Sequence, residues 1–106
     1  MKQVTVVAKA KAKPGKEKDL EAALKAVVPP THAEPGCLRY IVHRGVEDKS
    51  LFSVIERWDN MDSLQSHLQT AHVQALFQAI GGLLDGSPEI VAYETVIENG
   101  GPKGSW

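Results

Sequence analysis

Apolar residues occupy every second position from Val4 to Ala12, namely Val4, Val6, Ala8, Ala10 and Ala12. That alternation predicts a strand with one dry face. Pro14-Gly15 ends it, and Pro14 also suits the first turn of a helix. The spacing then changes. Leu20, Ala23, Leu24, Val27 and Val28 recur at three and four residues, the stripe of an amphipathic helix that Pro29-Pro30 is expected to stop. Thr31 to Gly36 reads as a connector, with Pro35-Gly36 as its turn. Two strands are predicted next, Cys37 to Arg44 and Leu51 to Trp58, joined by a loop holding Gly45, Asp48 and Ser50. Asp59 or Asn60 is expected to cap a second helix, whose stripe is Met61, Leu64, Leu68, His72, Leu76 and Ile80. Gly81-Gly82 and Asp85-Gly86-Ser87-Pro88 terminate that helix. A last strand, Glu89 to Ile97, precedes a glycine-rich tail expected to be loosely ordered.

The order β-α-β-β-α-β predicts an α+β, ferredoxin-like domain. With 106 residues there is room for one domain, drawn here as 1–98 followed by a tail at 99–106. Both parities are apolar in the central strands: Ile41 beside Val42, and Ile90 beside Val91 and Ala92. A half-wet sheet alternates. Two helices cover one face of a four-stranded sheet, so the second face is expected to be covered by another copy of the chain, as a homodimer through sheet faces.

Composition narrows the function. Hydrophobic residues make up 42% and charged residues 24%, with a formal net charge of -1. No concentrated basic face is evident, which argues against a nucleic-acid partner. No apolar run reaches the roughly 20 residues of a membrane span, and the N-terminal pattern enters a strand without a signal-peptide core. The single cysteine, Cys37, excludes an internal disulfide and a thiolate-rich zinc site. A cytoplasmic setting is the expectation. No glycine-rich phosphate loop or nucleophile elbow occurs.

The candidate chemistry lies in two places. Phe52, Val54, Glu56 and Trp58 project to one side of their strand, so a carboxylate stands on a face expected to be dry. A buried carboxylate must be paired, hydrogen-bonded or protonated. Glu56 either bonds a group such as Arg39, or orients a histidine or a substrate hydroxyl. Trp58 is either a core plug or the wall of a pocket for a flat ligand. His67 and His72 are five residues apart, which is roughly 140° around an ideal helix. They share a face only if the helix bends, and Thr70-Ala71 permits a bend. On this pattern His72 points inward and His67 lies at the stripe's edge. Either is a candidate base. No third ligand is evident beside them, so no metal site is expected. Cys37 is read as a small buried thiol.

Pro35-Gly36-Cys37-Leu38-Arg39-Tyr40, then Phe52 to Trp58, then Leu64 with His67 and His72, resembles the antibiotic-biosynthesis monooxygenase family over about Val4 to Ile97. The resemblance implies a dimeric α+β barrel with one pocket per subunit. It implies a cofactor-independent monooxygenase that oxidises a quinol- or anthrone-like aromatic with dioxygen. His67 and His72 would be the catalytic residues; Trp58, Tyr40, Glu56 and Phe77 would bind substrate. The haem-degrading relatives use an Asn on the first strand, and none occurs here before Asn60. Two alternatives remain open: an isomerase of a small phosphorylated signal, needing a phosphate group-binder such as Lys9, Lys11 or Arg39, and a non-catalytic ligand-binding dimer.

Overall fold

The structure, a computed structural model, describes residues 2–96 and 100–104. Its elements are β1 (Val4–Lys11), α1 (Glu17–Ala26), α2 (Val28–His32), β2 (Cys37–Arg44), β3 (Leu51–Trp58), α3 (Met61–Leu68), α4 (Ala71–Ile80) and β4 (Glu89–Tyr93). The strands form one sheet in the order β2-β3-β1-β4, with every neighbouring pair antiparallel. This is the ferredoxin-like α+β arrangement that the order of elements predicts.

The even-numbered face of β1 and β3 turns toward the helices. Val4, Val6, Phe52, Val54 and Trp58 are buried there against Leu20, Leu24 and Val27 from the first helical stretch and Leu64, Val73 and Ile80 from the second. Each such side chain contributes about 1.5–3 kcal/mol on leaving water. At the far end Ala12 pairs with Leu84, and Lys13 N donates to Leu83 O at 2.9 Å. These contacts tie the segment after α4 to the end of β1.

Three boundaries differ from the periodicity. Pro29-Pro30 does not end helical structure; it sits in the first turn of α2, where a missing N–H costs nothing. Thr31 and His32 are therefore helical rather than part of a connector. The second helix is two helices meeting at Gln69-Thr70. The last strand stops at Tyr93; Ile97 and the boundary drawn at 98 and 99 lie outside the described residues.

On the other sheet face Ile41, Ile55, Val7 and Val91 stand side by side in register across all four strands. Ile41 and Val91 are 44% and 45% exposed. This apolar stripe is left open to solvent by the single chain. Among the described residues no helix is long and apolar enough to cross a membrane.

Candidate functional site

The site begins with Thr70. Its hydroxyl donates to His67 O at 2.8 Å, closing the end of α3, and accepts from Val73 N at 3.3 Å, capping α4. One side chain thus turns the chain between two helices. The turn overcomes the five-residue spacing: the ring centroids of His67 and His72 lie 6.0 Å apart. Asn60 caps the start of α3, its Oδ1 accepting from Ser63 N at 3.0 Å.

Between the histidines stands Glu34. Its Oε2 is 2.7 Å from His67 Nδ1 and 2.8 Å from His72 Nε2. An ionised carboxylate only accepts, so both ring nitrogens carry protons and His67 keeps its lone pair on Nε2. Glu34 lies in the turn after α2, where Glu34 N bonds Thr31 O and Cys37 N bonds Glu34 O. Gly36 presses this turn onto α3. A Cβ at Gly36 would overlap Ser63 Oγ and lie 2.7 Å from Asp59 Oδ1, so only glycine fits.

Behind His67 is Trp58, fully buried, with ring centroids 4.6 Å apart. The indole Nε1 donates to Glu56 Oε1 at 2.9 Å. Glu56 therefore bonds an indole, and Arg39 instead donates to Leu38 O. Burial pushes the Glu56 carboxyl up to about 7, against the Trp58 bond, which lowers it; the charge of Glu34 adds to the rise. Burial holds His67 below the ordinary imidazole range, while the bond and charge of Glu34 pull the other way. Burial raises the Tyr40 hydroxyl well above the usual phenol range, so it stays protonated. The Cys37 thiol is pushed up to about 11, chiefly by burial, which suits a packed thiol and not a nucleophile.

These residues border a cavity of about 60 Å³ between the sheet and the helices. Tyr40, Glu56 and His67 form its polar end; Ala8, Val54, Leu68 and Phe77 are among its apolar walls. Lys9, Phe77, Pro88 and Ile90 border it and are exposed, marking its open side. The Tyr40 hydroxyl has no hydrogen-bond partner among the described residues and is free to donate to a ligand.

Of the residues singled out by sequence, Tyr40, Glu56, His67 and Phe77 line the cavity; His72 and Trp58 do not. The two histidines exchange the places that periodicity gave them. His67 is 3% exposed and faces the cavity, whereas His72 is half-buried and reaches Glu34 from outside. Trp58 is a buried support and not a pocket wall. Glu34 escaped the sequence reading because a lone carboxylate in a turn belongs to no period. The adjoining Pro35-Gly36 was its only local signal.

A sequence model of the antibiotic biosynthesis monooxygenase family matches residues 3–79. An uncharacterized protein of Synechocystis is 28% identical over 91 residues, covering 86% of this chain. The chain spans 62% of that relative's length, less than two thirds. YcnE of Bacillus subtilis is 26% identical over 84 residues, 79% of this chain and 88% of that protein. Among solved structures, PA3566 from Pseudomonas aeruginosa superposes with a TM-score of 0.85 at 32% identity, covering 92% of this chain and 97% of that one. A conserved protein from Methanosarcina mazei gives a TM-score of 0.84 at 30% identity, covering 89% and 93%.

Proposed function

Since the chain belongs to the antibiotic biosynthesis monooxygenase family, we propose that it is a cofactor-independent monooxygenase acting on a quinol- or anthrone-like aromatic with dioxygen. One observation carries this reading: inward of Lys9 at its exposed rim, the cavity is apolar except for a neutral histidine oriented by a carboxylate, an unpartnered phenol and a carboxyl near neutrality.

In this reading His67 Nε2 takes the acidic proton of the substrate, and Glu34 holds the imidazole in the tautomer that allows it. Tyr40 donates to the developing phenolate. Protonated Glu56 supplies a second donor, because a carboxylic acid near neutral pH has an O–H to give. The resulting carbanion passes one electron to dioxygen, and the radical pair joins as a peroxide. Loss of water leaves a carbonyl, so an anthrone methylene and dioxygen become a carbonyl and one water. The apolar walls exclude solvent from the carbanion. A space of about 60 Å³ holds on the order of four or five water-sized groups. A polycyclic substrate would enter by its reacting edge and leave its remaining rings against Phe77 and Ile90.

The isomerase reading lacks support from the pocket, whose walls hold one cation, Lys9, at the exposed rim. Lys11 faces Asp48 instead, at 3.9 Å. The proposal includes a homodimer through the open sheet face, since the stripe of Ile41, Ile55, Val7 and Val91 needs an apolar cover.

Oxygen consumption by metal-stripped protein over a panel of hydroquinones and anthrones tests the function. Uptake above autoxidation, reduced about 10²–10⁴-fold in His67→Ala, is the expected result. Uptake that His67→Ala leaves untouched would remove the base, and with it this mechanism.

A further inference from the structure

The donor atoms of Glu34, His67 and His72 all lie within 4.8 Å of one another. Two imidazoles and one carboxylate make up a recurrent zinc ligand set, with a fourth position left to water. The sequence showed two histidines and no third ligand; the turn before β2 brings that ligand in. The convergence is partly formed, because His67 Nδ1 and His72 Nε2 both aim at a single oxygen of Glu34. Tetrahedral zinc, with bonds of about 2.0–2.1 Å, sets neighbouring ligand atoms roughly 3.3 Å apart. From 2.7 and 2.8 Å, the oxygen would need to withdraw by roughly half an ångström. The two nitrogens, within 4.8 Å of one another, would also need to close by roughly an ångström or more. Glu34 stands on a turn and His72 is half-buried in the first turn of α4, so these two side chains are the ones able to adjust. Entry lies on the side away from the cavity: the side chains of His72 and Glu34 are 24% and 14% exposed, that of His67 4%.

We propose that Glu34, His67 and His72 bind one zinc-class divalent cation, and that occupancy turns His67 from a base into a hydrogen-bond donor. A cation on Nδ1 displaces the proton there. The neutral ring then carries its proton on Nε2, the nitrogen left for the cavity. The cation would therefore inhibit the oxygenation. This second half rests on the role proposed above for His67; the binding site does not.

Zinc titrated into metal-stripped protein against a chromophoric chelator tests the site without any substrate. The expected result is one Zn²⁺ per chain. Glu34→Gln and His72→Ala should each weaken binding by more than the roughly 10–100-fold that loss of an outer-shell partner costs. His43→Gln, an exposed histidine on β2, should leave binding unchanged. Imidazole nitrogen spectra of the unaltered protein give the same answer without substitution: zinc should move His67 Nδ1 and His72 Nε2 and spare His32 and His43. No saturable binding, or nitrogen shifts confined to His32 or His43, would overturn the site. Oxygen uptake then separates the two halves. Uptake falling in proportion to occupancy supports the switch. Full uptake at saturating zinc would overturn the switch and the base assignment while leaving the site standing. Uptake that depends on His67 in a protein that binds no zinc would overturn the site alone.

Discussion

Glu34 and His67 are 33 residues apart in the chain, yet Oε2 of one lies 2.7 Å from Nδ1 of the other. The bond fixes which nitrogen of His67 is protonated and how its ring is turned toward the cavity. Glu34→Ala should therefore leave an imidazole in place but poorly oriented. Turnover is expected to fall roughly 10–100-fold, the size typical of removing a group that orients a histidine. KM should change little, because Glu34 does not line the cavity. A variant that keeps full kcat would show that His67 needs no orienting partner.

Thr70 acts on the same trio through the backbone. Its hydroxyl holds both the end of α3 and the start of α4, so Thr70→Ala loses two hydrogen bonds. A stability loss of about 1 kcal/mol is expected from the cap, measurable by urea unfolding. Thr70→Ser retains the hydroxyl and should restore most of it. The imidazole resonances of His72 should broaden or shift in the alanine variant and recover in the serine one. Unchanged His72 signals in Thr70→Ala would mean that the helix break is held by other contacts.

The sequence made the fold legible because its signals are periodic. Alternation in β1 and β3 and the three-and-four spacing around Leu20 and Leu64 need no partner to be recognised. Glu56 was legible too, since an acid amid Phe52, Val54 and Trp58 breaks a pattern. What stayed hidden depended on contacts between distant segments. Glu34 acquires its role only when the turn before β2 meets the junction of α3 and α4. Periodicity places His67 and His72 on one continuous helix, and the break at Thr70 reverses their burial. Pro29-Pro30 misled for a related reason: proline stops a helix in its interior but is accepted in a first turn.

Glu56 should give the protein an unusual stability profile. Its carboxyl rises from the ordinary 4.5 to about 7 in the folded chain. Below about pH 4.5 the group is neutral in both states and costs nothing. Between 4.5 and 7 the unfolded chain gives up a proton that the folded chain retains, so stability falls as pH rises; above 7 the loss is complete. The full cost is up to about 3 kcal/mol, set by the size of that rise. Glu56→Gln keeps an oxygen for the Trp58 indole and carries no charge, so it should flatten this part of the profile and be more stable at pH 8. Equal slopes for the two proteins between pH 5 and 8 would place the ionised carboxylate in a wetter setting than its burial indicates.

The cavity itself can be closed from its floor. Ala8 lines it from β1, paired with Val54 on one side and Ile90 on the other. Ala8→Leu places new atoms where space exists, so the overpacking cost of about 1–3 kcal/mol seen in filled cores should be largely avoided. Binding of an apolar aromatic, followed by fluorescence or calorimetry, should be lost while unfolding stays near that of the unaltered chain. Ligand binding that survives would direct attention to a different surface.

The outer sheet face makes the sharpest claim about assembly. Ile41, Ile55, Val7 and Val91 form one apolar row, and a two-fold axis through it would set each residue against its own copy or near it. Ile41→Lys then introduces two like charges into one interface, each stripped of water with no acid arranged to meet it. The unaltered protein should sediment as a dimer at micromolar concentration, and the variant as a folded monomer with the same far-UV spectrum. Ile41 is 44% exposed in the single chain, so a lysine there disturbs nothing within the protomer. A variant that remains dimeric would move the interface off this face. A parent protein that is monomeric throughout would leave the stripe without a cover and the proposed barrel without its second half.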